Sequence, residues 1–133
     1  MATSAMASGC SLVVDATGVG QPVVDMLRAA RLGCDICAVT ITGGDKARCD
    51  GAGWNVPKQD LLAGLQVLLE RGELRIAKDL RGARLLMREL MDMQAKGAGG
   101  YGQHDDLVIA LALACWRVRK WRVNDGMVRL PGR

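Results

Sequence analysis

The stretch Ser11-Leu-Val-Val-Asp15, a glycine-punctuated turn, an apolar-faced helix and then Ile36-Cys-Ala-Val-Thr-Ile41 constrain the fold more than any other part of the chain. Both end runs are short and rich in β-branched residues, as buried strands are. A strand, a helix and a strand of these lengths predict a right-handed parallel crossover unit, and such units present functional groups where their strands end. Asp15 closes the first strand. It is therefore the first candidate for chemistry.

Between the strands, Thr17-Gly18-Val19-Gly20 reads as a turn whose glycines permit positive φ or close approach. Pro22 suits the first position of a helix, with Val23, Val24, Leu27 and Ala30 as its apolar face and Gly33 as its stop. Gly43 to Asn55 reads as a loop of mixed charge, anchored to the core by Trp54. Asn55 can cap and Pro57 can open the next helix, predicted over Pro57–Arg71 from Leu61, Leu62, Leu65, Leu68 and Leu69, with Gly72 ending it. Leu74–Ala77 reads as a short strand and Asp79 as a cap. Ala83, Leu86, Met87, Leu90 and Met93 then form the inner face of a further helix, the methionines filling core. Lys96–Gly102 is a tight connection before a last helix over about Asp105–Trp121.

That last helix opens on the second candidate site, Gly102-Gln103-His104-Asp105-Asp106. Two carboxylates with an imidazole beside them at a helix start suit metal binding and acid/base work. Three readings stay open for Asp15, His104, Asp105 and Asp106. Asp15 and the acidic pair can hold a divalent metal that polarises a phosphodiester and activates water; oxygen ligands favour magnesium or manganese over zinc. Asp15-Ala-Thr-Gly-Val-Gly20 can instead cradle phosphate in a nucleotide-binding module, although G-x-G-x-x-G spacing and a P-loop are absent. The plainest account is that Asp105 and Asp106 cap their helix.

At 133 residues the chain is expected to form one domain that buries about two thirds of its unfolded surface. No segment approaches the roughly 18 consecutive apolar residues of a membrane span, and the first ten residues lack a signal-peptide pattern, so an intracellular, cytoplasmic protein is expected. The five cysteines, an odd number, argue for reduced thiols over a disulfide framework. Cys34-Asp-Ile-Cys37 is formally C-x-x-C but has no second ligand pair, and reads as cysteines around a buried strand. The net charge of +4 modestly favours polyanions. Arg117, Arg119, Lys120 and Arg122, interleaved with Trp116 and Trp121, suit nucleic acid, or equally a solvated end helix with a tail. Lys46, Arg48 and Lys58 are further phosphate-contact candidates.

Several stretches, in order, resemble the nuclease domain of phage terminase large subunits, the DNA-packaging motors. They are Leu12-Val-Val-Asp-Ala-Thr-Gly-Val-Gly-Gln-Pro-Val-Val-Asp25, Ala38-Val-Thr-Ile-Thr-Gly-Gly-Asp45, Trp54-Asn-Val-Pro-Lys-Gln-Asp-Leu61, Glu89-Leu90 and Gln103-His-Asp-Asp-Leu-Val-Ile-Ala110. The resemblance implies a ribonuclease H-like fold and a Mg2+- or Mn2+-dependent endonuclease acting on DNA in the cytoplasm of a bacterial host, phage or prophage encoded. It assigns Asp15, Asp105 and Asp106 as metal ligands and His104 as a nearby assistant. The family's first catalytic strand and its motor ATPase have no counterpart here, which implies an incomplete nuclease or a degenerate, inactive domain acting in DNA binding or assembly. The missing strand would leave Ser11–Asp15 as an open sheet edge, which natural proteins rarely tolerate. A homodimer through that edge, or cover by the N-terminal segment, is expected, with terminase or portal components as further partners and no membrane.

The expected architecture is thus α/β, a partial ribonuclease H-like domain with a small, mostly parallel sheet flanked by helices. Its boundaries are an irregular N-terminus over 1–10, the nuclease-like domain over 11–121 and a basic tail over 122–133.

Overall fold

The computed structural model describes residues 9–18, 20–51, 53–96 and 105–124. The chain divides into two compact units, Met1–Lys58 and Gln59–Arg133. Among the described residues the first carries a small mixed sheet and one helix, and the second carries three helices.

In the first unit, β1 (Ser11–Asp15) leads through α1 (Gly20–Ala29) to β2 (Asp35–Thr42). The two strands lie side by side and parallel, Ser11 opposite Asp35 and Asp15 opposite Val39. This is the crossover predicted from the two β-branched runs. The ladder runs one residue past β1, where the Ala16 amide donates to the Val39 carbonyl at 2.8 Å. Helix α1 starts at Gly20, two residues earlier than Pro22 suggested; Pro22 still falls in the first turn, where its missing N–H costs nothing. Gly20 sits tight, since a Cβ there would lie 2.8 Å from the Asp15 carbonyl oxygen. Val24 is fully buried and packs with Ala16 and Ala38 in a cluster that Val14 and Ile36 extend. Val23 and Ala30 are exposed instead, because a helix on one sheet face can bury only a narrow stripe of a four-residue apolar set.

The expected loop over Gly43 to Asn55 contains two strands. β3 (Arg48–Cys49) and β4 (Trp54–Pro57) pair antiparallel, and β4 runs parallel to β2 with Val39 opposite Trp54. The sheet order is β1-β2-β4-β3. The turn between β3 and β4 is held by Asp50, whose Oδ1 accepts from the Gly53 amide and whose Oδ2 accepts from Asn55 Nδ2. Pro57 ends β4 and is buried with Val56. A strand's last residue tolerates the missing N–H, so proline here closes a strand and does not open the helix.

In the second unit, α2 (Lys58–Glu70, its first residue assigned to the first unit) buries Leu61, Leu62 and Leu65, the helical stripe the leucines predicted. It ends in a Schellman turn: Gly72 has φ 65°, its amide donates to the Leu69 carbonyl, and the Glu73 amide donates to the Leu68 carbonyl. Residues 73–77 are not a strand, since no ladder partner is available to them among the described residues. Helix α3 (Ala83–Lys96) buries Ala83, Leu86, Glu89 and Leu90. Asp79 is not its cap, because the first turn starts at Gly82, whose carbonyl accepts from the Leu86 amide. Met87 is also misassigned. It is 44 % exposed, since positions 83, 86 and 90 define a narrow inner stripe from which 87 is rotated away. Helix α4 spans Asp106–Asn124, with Val108, Ala112, Leu113 and Trp116 buried. Among the described residues no helix is long and apolar enough to cross a membrane. The frayed N-terminus, the Lys96–Gly102 connection beyond Lys96 and the tail beyond Asn124 were expectations about residues outside those described.

Candidate functional site

Asp15 stands where the crossover unit was expected to deliver it, exposed at the C-terminal end of β1. Its carboxylate is oriented by the turn that follows. Oδ1 accepts from the Thr17 amide at 2.9 Å, an Asx-turn, and from Thr17 Oγ1 at 2.5 Å. The same hydroxyl oxygen accepts from the Ile41 amide of β2 at 3.0 Å. Thr17 thus joins the Asp15 carboxylate to the neighbouring strand. The Asp-x-Thr spacing at a strand end carried this signal, which a search for charged residues alone passes over.

Replacing Thr17 by valine keeps the shape and removes both hydroxyl bonds. Thr17→Val is expected to lower the unfolding free energy by about 1–2 kcal/mol, and Thr17→Ser by a few tenths. Urea unfolding checks both values; equal stabilities for the two variants would contradict the orienting role.

At the start of α4 the Ile109 amide donates to the Asp105 carbonyl at 2.9 Å, which makes Asp105 the N-cap and Asp106 the first helical residue. The next two amides, of Leu107 and Val108, are those a capping side chain ordinarily binds. Both are bound by Glu89 of α3, whose Oε2 accepts from Leu107 at 3.0 Å and from Val108 at 3.1 Å. Glu89 is buried, and its charge is compensated by these two amides and by the positive end of the helix dipole. The acid doing the capping is therefore one that the sequence placed only within a short family-like stretch. Asp106 is exposed and Asp105 partly buried.

His104 lies outside the described residues. Lys46 and Arg48 are exposed at the β3 side of the first unit's sheet, and Lys58 follows β4. Arg117 and Lys120 are partly buried on α4. Arg119, on the same helix, reaches over α2, where its guanidinium occupies the space a side chain at Gly64 would take. Among the described residues its Nε is buried without a hydrogen-bond partner. Burial raises the pKa of the Cys115 thiol, one turn earlier, against an opposing pull from Arg119.

Carboxylates are the right donors for magnesium or manganese. Among the described residues, however, no three His, Cys, Asp or Glu side chains are grouped to hold one ion. Asp15 belongs to the first unit, and Glu89, Asp105 and Asp106 belong to the second. No family model, curated protein or solved structure matches the chain.

Proposed function

We propose that the chain is a metal-dependent DNA endonuclease domain of the phage terminase large-subunit kind, built on a ribonuclease H-like framework. The capping of α4 by Glu89 carries this reading. Acids at a helix start usually need no explanation beyond capping, but a third acid makes those bonds here. Asp106, exposed on the first turn, is therefore not needed for that capping. The position of Asp15 adds support, since open α/β sheets place their ligands beyond the carboxyl ends of parallel strands.

In this proposal Asp15, Asp105 and Asp106 are the metal ligands and His104 positions the attacking water or carries its proton. Bound Mg2+ or Mn2+ supplies polarisation of the phosphodiester and activation of water. Thr17 holds the Asp15 carboxylate in one orientation, and Glu89 sets the first turn of α4 from which Asp105 and Asp106 project. Lys46, Arg48, Lys58, Arg117 and Lys120 neutralise backbone phosphate, which makes DNA binding salt-dependent. The proposed setting is a bacterial cytoplasm, with terminase or portal components as partners.

A second reading, a non-catalytic domain that assembles or binds DNA, is favoured by the sheet. Among the described residues β1 is its end strand and pairs with β2 alone, which leaves an edge for a second copy.

One experiment separates the two readings. The chain is incubated with supercoiled plasmid in manganese or EDTA, with its mass measured in solution. Cleavage that requires manganese and falls at least about 100-fold in both Asp15→Asn and Asp106→Asn is expected for the nuclease. No cleavage from a dimeric chain would support assembly. Cleavage unaffected by either substitution would overturn the assigned site.

A further inference from the structure

We propose that Cys10 and Cys34 are a redox-active dithiol that closes to a disulfide and clips the N-terminal end of β1 to β2. The inference stands on the first unit alone and does not depend on the nuclease reading. Ser11 and Asp35 are the first residues in register between the two strands, so Cys10 and Cys34 immediately precede them as lateral neighbours. The Asp35 amide donates to the Cys10 carbonyl at 3.2 Å, which carries the pairing back to the cysteines. The Cys10 thiol is close enough to contribute to raising the pKa of Cys34. Neighbouring strands run about 4.8 Å apart, inside the Cα separations that disulfides span.

The local chain suits closure. Each cysteine follows a glycine of positive φ, Gly9 at 84° and Gly33 at 74°, and a Cβ on either glycine would meet nothing within 4 Å. The backbone therefore has room to adjust as the sulfurs approach. One residue further on, Ser11 Oγ donates to Asp35 Oδ2 at 2.9 Å, which holds the adjoining pair across the same two strands. The remaining cysteines are placed differently: Cys37 is buried within β2, Cys49 is exposed on β3, and Cys115 belongs to the second unit.

The oxidant is a low-molecular-weight disulfide such as oxidised glutathione. The Cys10 thiolate attacks one of its sulfurs, breaking that S–S bond and releasing one thiol. The Cys34 sulfur, after losing its proton, then attacks Cys10 Sγ in the mixed disulfide and releases the second thiol. Two protein thiols are oxidised by two electrons, one small disulfide is reduced to two thiols, and the two protein protons end on those thiols. The second step quickens at alkaline pH, because partial burial, and then the neighbouring Cys10 thiol, raise the Cys34 pKa. The bond closes a loop through α1 and suppresses fraying of the strand that carries Asp15 at its other end.

The full chain is incubated with oxidised glutathione near pH 8, then examined by intact mass, by peptide mapping without reductant and by thermal unfolding. The expected result is the loss of two hydrogens, a Cys10–Cys34 cross-link and a rise in Tm of about 10 °C over the reduced chain. Cys10→Ser and Cys34→Ser should each retain a glutathione adduct in place of closure. Phenylarsine oxide, which bridges adjacent thiols, should bind the parent chain through this pair and lose that binding in either variant. Cross-linking through any other pair, a persistent glutathione adduct on Cys10 or Cys34 of the parent chain, or an unchanged Tm after closure would overturn the proposal.

Discussion

Glu89→Ala is expected to lower the unfolding free energy by about 3 kcal/mol. The truncation leaves the Leu107 and Val108 amides without their acceptor at a partly buried helix start, so it combines the loss of an N-cap with the cost of stranding the buried Val108 amide away from water. Glu89→Gln separates hydrogen bonding from charge. Its side-chain carbonyl can accept both amides, and only the favourable placement of negative charge at the helix dipole is lost, for about 1 kcal/mol. Urea denaturation followed by far-ultraviolet circular dichroism gives both numbers. An alanine variant within about 0.5 kcal/mol of the parent would show that α4 keeps its first turn without this bond. If the nuclease proposal holds, Glu89→Gln should also retain manganese-dependent cleavage under conditions where both variants are folded.

Gly53→Ala is the second large effect, expected at about 2–3 kcal/mol. A Cβ at this position would lie 2.7 Å from the Ala38 carbonyl oxygen and 3.3 Å from its Cβ. Neither is the end of a flexible side chain that can swing aside, so β2 and β4 must separate or the β3–β4 turn must open. That turn is committed to its geometry by Asp50, which bonds the Gly53 amide through its side chain and the Gly53 carbonyl through its own amide. Gly43→Ala serves as the control, since a Cβ there meets nothing within 4 Å, and should fall within about 0.5 kcal/mol of the parent. Equal losses in the two variants would mean that close strand packing is not the cause.

Both residues lay outside the sequence-derived site, and for related reasons. Glu89 sits one position before Leu90 in a helix whose apolar stripe was plain, and nothing local marks an acid as buried. Its role exists only when the start of another helix is brought against it. Gly53 looked like one more glycine in a loop. Its constraint comes from a carbonyl fifteen residues earlier. The strand Trp54–Pro57 was hidden in the same way: four residues are too few for a periodic signal, and the strand forms because β2 offers it a parallel edge in register at Val39–Thr42.

What the sequence by itself determined is what a few consecutive residues can encode. The β-branched runs specified β1 and β2, the leucine spacing specified the buried face of α2, Gly72 specified its end, and Asp15 was placed at a strand terminus by the length of the run before it. Such features depend on backbone preference and side-chain periodicity, which act over one or two turns or one strand. The tertiary structure decided which face of α3 is exposed at Met87, that Thr17 ties Asp15 to β2, that Cys10 lies beside Cys34, and that Glu89 supplies capping bonds to the Leu107 and Val108 amides of α4. Each of these is a hydrogen bond, a register or a burial shared by residues distant in the chain, and its free energy arises only when both partners are removed from water together.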